Sequence, residues 1–275
     1  MPTIRTRART RLLAAVSTVL LLGATTACDV VARLDGRYSA EAPAPTLVRE
    51  GVLTVCTDMP YEPFEFERAG KPAGFDVDLV QMVADRLGLA LDMVDTAFDD
   101  IASGESLNKG RCDVAISAMT ITGERARVLN FSSPYFDAAQ ALVVEKGSGL
   151  DTLEDLAGRK VGVQAGTTGE LYVTDNAPRG AEVIPFEDAA AMGEAMENGE
   201  VVATVYDNTV VSDVIEADPG LKVATEFDTG EQYGMAVRRN GNVELLRIIN
   251  DVLATAKDDG GYEEVYTTWF GTARS

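Results

Sequence analysis

From residue 47 onward, short apolar runs alternate with longer segments whose apolar residues recur every three or four positions. Residues 53–56 (LTVC) predict a strand. Residues 78–87 place Leu79, Val80, Val83 and Leu87 on one helical face, and Gly88 is a stop. Residues 89–94 read as a strand, 99–109 as a helix ended by Gly110, and 113–116 as the next strand. After Ser148 the pattern restarts with a short helix at 152–156 and a strand at 160–163. Gly166 to Gly169 then lead into a helix through Val173, followed by a strand at 182–184, a helix at 188–197 and a strand at 201–206. Strands alternating with helices imply parallel sheets with right-handed crossovers, here in two units. Two extended runs, 140–145 and 233–238, read as connectors that cross between the units. Helices at 243–253 and 262–270 would then pack back on the first unit. The expected fold is α/β and two-lobed, each lobe a parallel-dominated sheet flanked by helices, with two hinge strands. Lobe one would comprise 47–142 and 236–275, and lobe two 143–235. Ligands of open α/β sheets bind at the carboxyl ends of strands, so two facing lobes would enclose one cleft.

The first 46 residues do not follow this alternation. Arg5, Arg7, Arg9 and Arg11 precede an apolar and small-residue run at 12–27 that ends at Cys28. This is the pattern of a secretory signal, and the run is short for a membrane span. Thr25, Thr26 and Ala27 before Cys28 resemble a bacterial lipobox, although that pattern prefers a large aliphatic residue at the place of Thr25. The expectation is a signal peptide at 1–27 and a lipid on Cys28, the alternative being a plain secreted protein cut near Ala27. Residues 28–46, with Pro43, Pro45 and mixed charges, read as a flexible tether.

Charge and composition narrow the chemistry. The net charge is −20, and loss of the four leader arginines would make it −24. Such a chain is repelled by nucleic acid and by anionic lipid. There is no histidine. That removes the commonest general base and zinc ligand, and every Ser-His-Asp or Cys-His arrangement. No cofactor or metal is expected.

The most informative stretch is 113–136. A short apolar run is followed by Ser117, Ala118, Thr120 and Thr122, then Glu124 and Arg125. Exposed strand-end N–H groups, hydroxyls and a forked guanidinium together suit a carboxylate. The same residues also fit an ordinary strand-to-helix turn capped by hydroxyls, with Arg125 in solvent.

Five segments in register, DMPYEPFEF at 58–66, GFDVDL at 74–79, MTIT at 119–122 with Glu124 and Arg125, FSSPY at 131–135 and VGVQAGTT at 161–168, resemble the polar amino-acid branch of bacterial extracellular solute-binding proteins, family 3. The resemblance covers about residues 47–270. It implies an extracytoplasmic lipoprotein that binds a polar L-amino acid and delivers it to an ABC importer permease, as a monomer. Arg125 would hold the ligand α-carboxylate, with the N–H near Thr120, the Thr120 hydroxyl, and Thr168 at a helix N-terminus closing from lobe two beside Thr167. Asp207 and the Ala118 carbonyl, next to Ser117, would take the α-ammonium. Tyr61 and Phe98 would sandwich the side chain, with Asp58 near its distal end and Gln164 tuning specificity. The family often has a hydroxyl where Ala118 stands.

No second cation is evident near this pocket, which argues against an acidic ligand side chain. Asp58, with Glu62, Asp99 or Asp100 possible neighbours, favours a basic or amide one. Cys56 and Cys112 could pair in an oxidising compartment, but adjacent parallel strands would leave them staggered unless the insertion before Cys112 shifts it; otherwise they are two buried thiols. The alternative function is a dehydratase-type enzyme on the same fold, acting on a cyclic amino or keto acid. The missing histidine, and the expectation of no paired carboxylates at one strand end, weigh against it.

Overall fold

The structure, a computed structural model, describes residues 44–271. The leader, Cys28 and most of the expected tether lie outside the described residues. In chain order the strands and helices begin with β1 (Val52–Thr57), β2 (Phe66–Arg68), β3 (Lys71–Ala73), α1 (Phe75–Leu87), β4 (Ala90–Asp95), α2 (Phe98–Ala102), α3 (Glu105–Asn108) and β5 (Val114–Ala115). There follow β6 (Leu129–Phe131), β7 (Phe136–Glu145), β8 (Lys160–Gln164), α4 (Thr168–Asn176), β9 (Glu182–Phe186) and α5 (Ala189–Glu197). The chain continues with β10 (Ala203–Asp207), α6 (Val211–Ala217), β11 (Leu221–Tyr233), β12 (Ala236–Arg238), α7 (Val243–Asp259) and α8 (Gly261–Phe270). Short 3-10 turns stand at Arg125–Arg127 and Leu153–Leu156.

The fold is α/β with two sheet-centred lobes. Sheet one has the order β4-β1-β5-β12-β6, and sheet two β11-β7-β10-β8-β9. Each sheet is mixed. β1 runs parallel to β4 and β5, and β8 parallel to β9 and β10, because helical segments return the chain between them. β12 and β7 enter directly from the other lobe with no helix between, and both join antiparallel. The expected lobe boundary at 142 shifts for the same reason. β7 pairs along its whole length with β10 or β11, from Phe136↔Tyr233 to Glu145↔Leu221, so the crossing precedes Phe136. The return crossing lies between Tyr233 and Ala236.

Packing follows the predicted stripes. α1 buries Leu79, Val80 and Val83 and ends on Gly88 in the left-handed conformation. α7 runs past the expected 253 to Asp259, because Leu245, Ile249, Val252, Leu253 and Ala256 continue one buried stripe until Gly260. An aromatic cluster joins lobe one, the crossing ribbon and the last helix. Phe64 lies 5.1 Å from Phe136, 5.5 Å from Tyr233 and 5.4 Å from Phe270 between ring centroids. The close approach needs Gly74: its φ is 139°, and a Cβ there would sit 2.0 Å from the Phe64 carbonyl oxygen.

Three elements were not evident from periodicity. The β2–β3 hairpin has only three residues per strand. α6 is seven residues long with Val211 its one buried position, and β11 is half-exposed along most of its length, so neither carries a clean apolar repeat.

Cys56 and Cys112 form a disulfide, with Cα atoms 5.7 Å apart. Cys56 is level with Ala115, so the stagger is real. The expected helix over 99–109 is broken at Gly104, which adopts φ 78° between α2 and α3. The break carries Cys112 back to Cys56. The bridge closes a sequence separation of 56. Replacing both cysteines by serine is expected to lower stability by about 3–4 kcal/mol, read from urea unfolding with and without reductant.

Candidate functional site

A cavity forms where strand ends of the two sheets face each other. All eleven residues expected from the sequence line it: Asp58, Tyr61, Phe98, Ser117, Ala118, Thr120, Arg125, Gln164, Thr167, Thr168 and Asp207. Gln140, Met192, Val205 and Tyr206 complete the wall.

Arg125 begins a 3-10 turn, and the Thr122 hydroxyl accepts its backbone N–H at 3.1 Å. Its side chain is not in solvent; Arg125 is 6% exposed. One guanidinium nitrogen donates to the Thr120 carbonyl at 2.7 Å and another to the Gly166 carbonyl at 3.0 Å. The second bond joins lobe one to lobe two. The guanidinium carbon stands 5.1 Å from the Phe98 ring centroid, so that ring is shared between the cavity and a cation–π contact. Burial lowers the Arg125 pKa to about 10, partly offset by Asp207 and Glu231. Arg125 therefore stays charged at neutral pH, with N–H groups to spare.

Asp207 ends β10. Its two oxygens accept from Gln140 Nε2 and from the Tyr233 hydroxyl, each at 2.5 Å. Burial and the Glu231 charge push its pKa up to about 6 despite these donors. Ala118 holds φ 41°, which turns the backbone between Ser117 and Thr120.

Glu231 is a functional candidate that sequence reasoning missed. A register shift between Phe227 and Glu231 turns its side chain inward, as bulges do. Its Oε2 accepts from the hydroxyls of Thr120 at 2.6 Å and Thr168 at 2.7 Å, one from each lobe. A hydroxyl has one proton. With both hydroxyls donating to Glu231, the two threonines have acceptor lone pairs left over, and the spare donors beside them are those of Arg125. Gln140, also missed, donates to Glu231 at 3.1 Å as well as to Asp207. The expected lack of paired carboxylates is thus corrected: Asp207 and Glu231 share one amide. The signal that could have found Glu231 is the turn-forming Asp228-Thr229-Gly230 inside a strand.

At the other end of the cavity Gln164 Nε2 donates to Asp58 Oδ2 at 2.6 Å, a further bond across the lobes. Burial raises the Asp58 pKa to about 7; the Gln164 bond opposes this, and Asp95, Asp188 and Asp99 add to it. Of the expected acidic neighbours, Asp99 is thus present. Asp100 instead pairs with Arg111, and Glu62 lines a different hollow. Asp95 and Asp188 were not foreseen. Among the described residues Arg125 is the one cation lining the cavity.

Residues 53–272 match the bacterial extracellular solute-binding proteins, family 3. The chain belongs to this family. A probable histidine-binding protein of Neisseria gonorrhoeae is 30% identical to it, the match covering 90% of this chain and 94% of that one. An ancestral arginine-binding protein, solved with arginine bound, is 42% identical with a TM-score of 0.76, covering 80% of this chain and 99% of that one. An ancestral amino-acid-binding protein described as a precursor of cyclohexadienyl dehydratase is 35% identical with a TM-score of 0.71, covering 80% and 95%.

The acids of this site titrate against their ordinary direction. Asp58, Asp207 and the buried Asp76 all have pKa values raised above 3.8, to about 7, 6 and 7. The folded state then binds protons more tightly than the unfolded chain, so their uptake stabilises it as pH falls. The melting temperature of the ligand-free protein is expected to rise as pH is lowered from about 8 to about 5 and to fall again on return, read by scanning calorimetry.

Proposed function

We propose that this chain binds a polar L-amino acid outside the cytoplasm and hands it to an ABC importer, with a basic side chain favoured over an amide one. The observation that carries this is the charge layout of one cavity. A buried guanidinium stands at one wall, Asp207 at another, and a group of carboxylates at the far end. A zwitterion with a cationic side chain complements all three. Arg125 takes the α-carboxylate, Asp207 and the Ala118 carbonyl the α-ammonium, Tyr61 packs on the side chain, and Asp58 with Gln164 receives its distal end. Thr167, Thr168 and Ser117 shape the cradle. The likeness to ancestral arginine-binding proteins solved with arginine and with glutamine supports a basic or amide side chain, and the preference for a basic one rests on the charge layout. Cys28 carries the lipid that holds a monomer at the membrane surface, where the permease meets it.

Calorimetric titration with L-arginine, L-lysine, L-ornithine, L-histidine, L-glutamine and L-glutamate tests this. L-Arginine is expected to bind, while L-glutamate and agmatine, arginine without its carboxylate, are not; no binding by any amino acid overturns the reading. Arg125→Ala is expected to cost about 3 kcal/mol, roughly a hundredfold in Kd. Affinity is also expected to fall as pH drops below about 6, because protonated Asp207 no longer attracts an ammonium.

The dehydratase reading gains one point from the structure, the paired Asp207 and Glu231, and one from the dehydratase precursor's likeness. Mass spectrometry of candidate acids incubated with the protein separates the two. Unaltered ligand is the expected result, and a dehydrated product would establish the enzyme.

A further inference from the structure

Behind the cradle lie two acids that neither lobe contact nor ligand role accounts for. Glu65 and Asp76 are each 0% exposed. Glu65 follows Phe64, and Asp76 stands in the first turn of α1. Each uses one oxygen on the cradle. The Ser117 hydroxyl donates to Glu65 Oε1 at 2.6 Å and itself accepts the Asp58 N–H at 3.1 Å. The Ala118 N–H donates to Asp76 Oδ2 at 2.8 Å, as does the Tyr135 hydroxyl at 2.8 Å. The other two oxygens, Glu65 Oε2 and Asp76 Oδ1, are buried and have no donor among the described residues.

Two neighbouring carboxylates, both fully buried and with no cation acting on them among the described residues, cannot both stay ionised at acceptable cost. The charged and titratable groups acting on the pair are Asp58, Tyr61, Tyr135 and Tyr262, none of them cationic. The backbone brings the two carboxyl groups side by side: the Asp76 N–H donates to the carbonyl of Phe64, next to Glu65, at 3.0 Å, and the groups they bind, Ser117 and Ala118, are consecutive. A single proton between them removes one charge and satisfies both orphaned oxygens.

We propose that Glu65 and Asp76 are positioning residues that share one buried proton, and that this proton holds Ser117 and Ala118 in the geometry the ligand cradle needs. The assignment rests on the amino-acid-binding reading for its link to affinity, though not for the proton itself. Glu65 carries the proton, since burial and Asp76 both push it well above the usual carboxylate range. Asp76 remains the acceptor for Ala118, whose left-handed backbone it pins.

The mechanism makes an unusual demand on amide substitutions. Glu65→Gln keeps a donor toward Asp76 and an acceptor for Ser117, with no proton to lose. Asp76→Asn keeps acceptors for Ala118 and Tyr135 and donates to an ionised Glu65. The double variant turns two amide N–H₂ groups on each other. Titration with L-arginine over about pH 6 to 10 is therefore expected to show an alkaline loss of affinity in the wild type. In Glu65→Gln that loss shifts to higher pH, where Arg125 and the ligand's own ammonium are the groups left to titrate, with neutral-pH affinity within about threefold of wild type. Each single variant binds, while the double variant loses about tenfold or more despite a native circular dichroism spectrum. An alkaline limb unchanged in Glu65→Gln, or a double variant as tight as the singles, overturns the proposal. Infrared spectroscopy of the ligand-free protein at about pH 8 gives a second readout. A protonated-carboxyl band is expected in the wild type and not in Glu65→Gln. Its absence from the wild type overturns the shared proton even if L-arginine never binds; its presence with no arginine binding faults the ligand reading alone.

Discussion

The arrangement of this site depends on keeping one cation, Arg125, out of water. A guanidinium loses hydration when buried, and among the described residues no carboxylate is bonded to it in compensation. Two backbone carbonyls, one from each lobe, and the face of Phe98 take that place. Carbonyl dipoles hold the group in place without neutralising it. A buried positive charge with unused N–H groups is a standing attraction for an anion. Asp207 and Glu231 lie near enough to stabilise it, yet both are held by other donors. The lobes therefore meet around a charge that each of them half-satisfies.

The far end of the cavity is built on the opposite principle. Asp58 is surrounded by other acids, and its one strong partner is the neutral amide of Gln164. Acid collects there because Asp95 ends a strand, Asp99 opens a short helix, and Asp188 caps α5 by accepting the Ala191 N–H. Each position has a local structural reason, and their sum is a negative field facing inward. A site positive at one end and negative at the other orients a dipolar ligand before any close contact forms.

Much of this was legible in the sequence. The hydroxyl and arginine pattern after 113 is local and marked Ser117, Thr120 and Arg125 as candidates, whereas Asp58, Tyr61, Phe98, Gln164, Thr168 and Asp207 were placed by the resemblance to the family. What escaped was non-local. Glu231 enters the site because of a register shift against β7, and a half-exposed strand such as β11 gives no apolar rhythm to reveal it. The disulfide could not be settled because it turns on Gly104 breaking a segment that reads as one helix. The mixed sheets follow from strands that cross between lobes without a helix, and alternation alone points to parallel order.

The crossing ribbon has a mechanical consequence. β7 and β11 carry Gln140 and Glu231, so the network around Thr120 and Thr168 is anchored on the ribbon itself. Gln164 and Asp58 meet on β8 and just after β1, outside that ribbon. When one rigid body swings about an axle, points near the axle travel least. Small gapes of the two halves would leave the Glu231 network engaged while the Gln164–Asp58 contact parts. In the proposed binding mode the main-chain end of a guest would be gripped by something like a hinge pin, and its side chain would be judged by the jaw tips, where a small mismatch translates into the largest failure to shut.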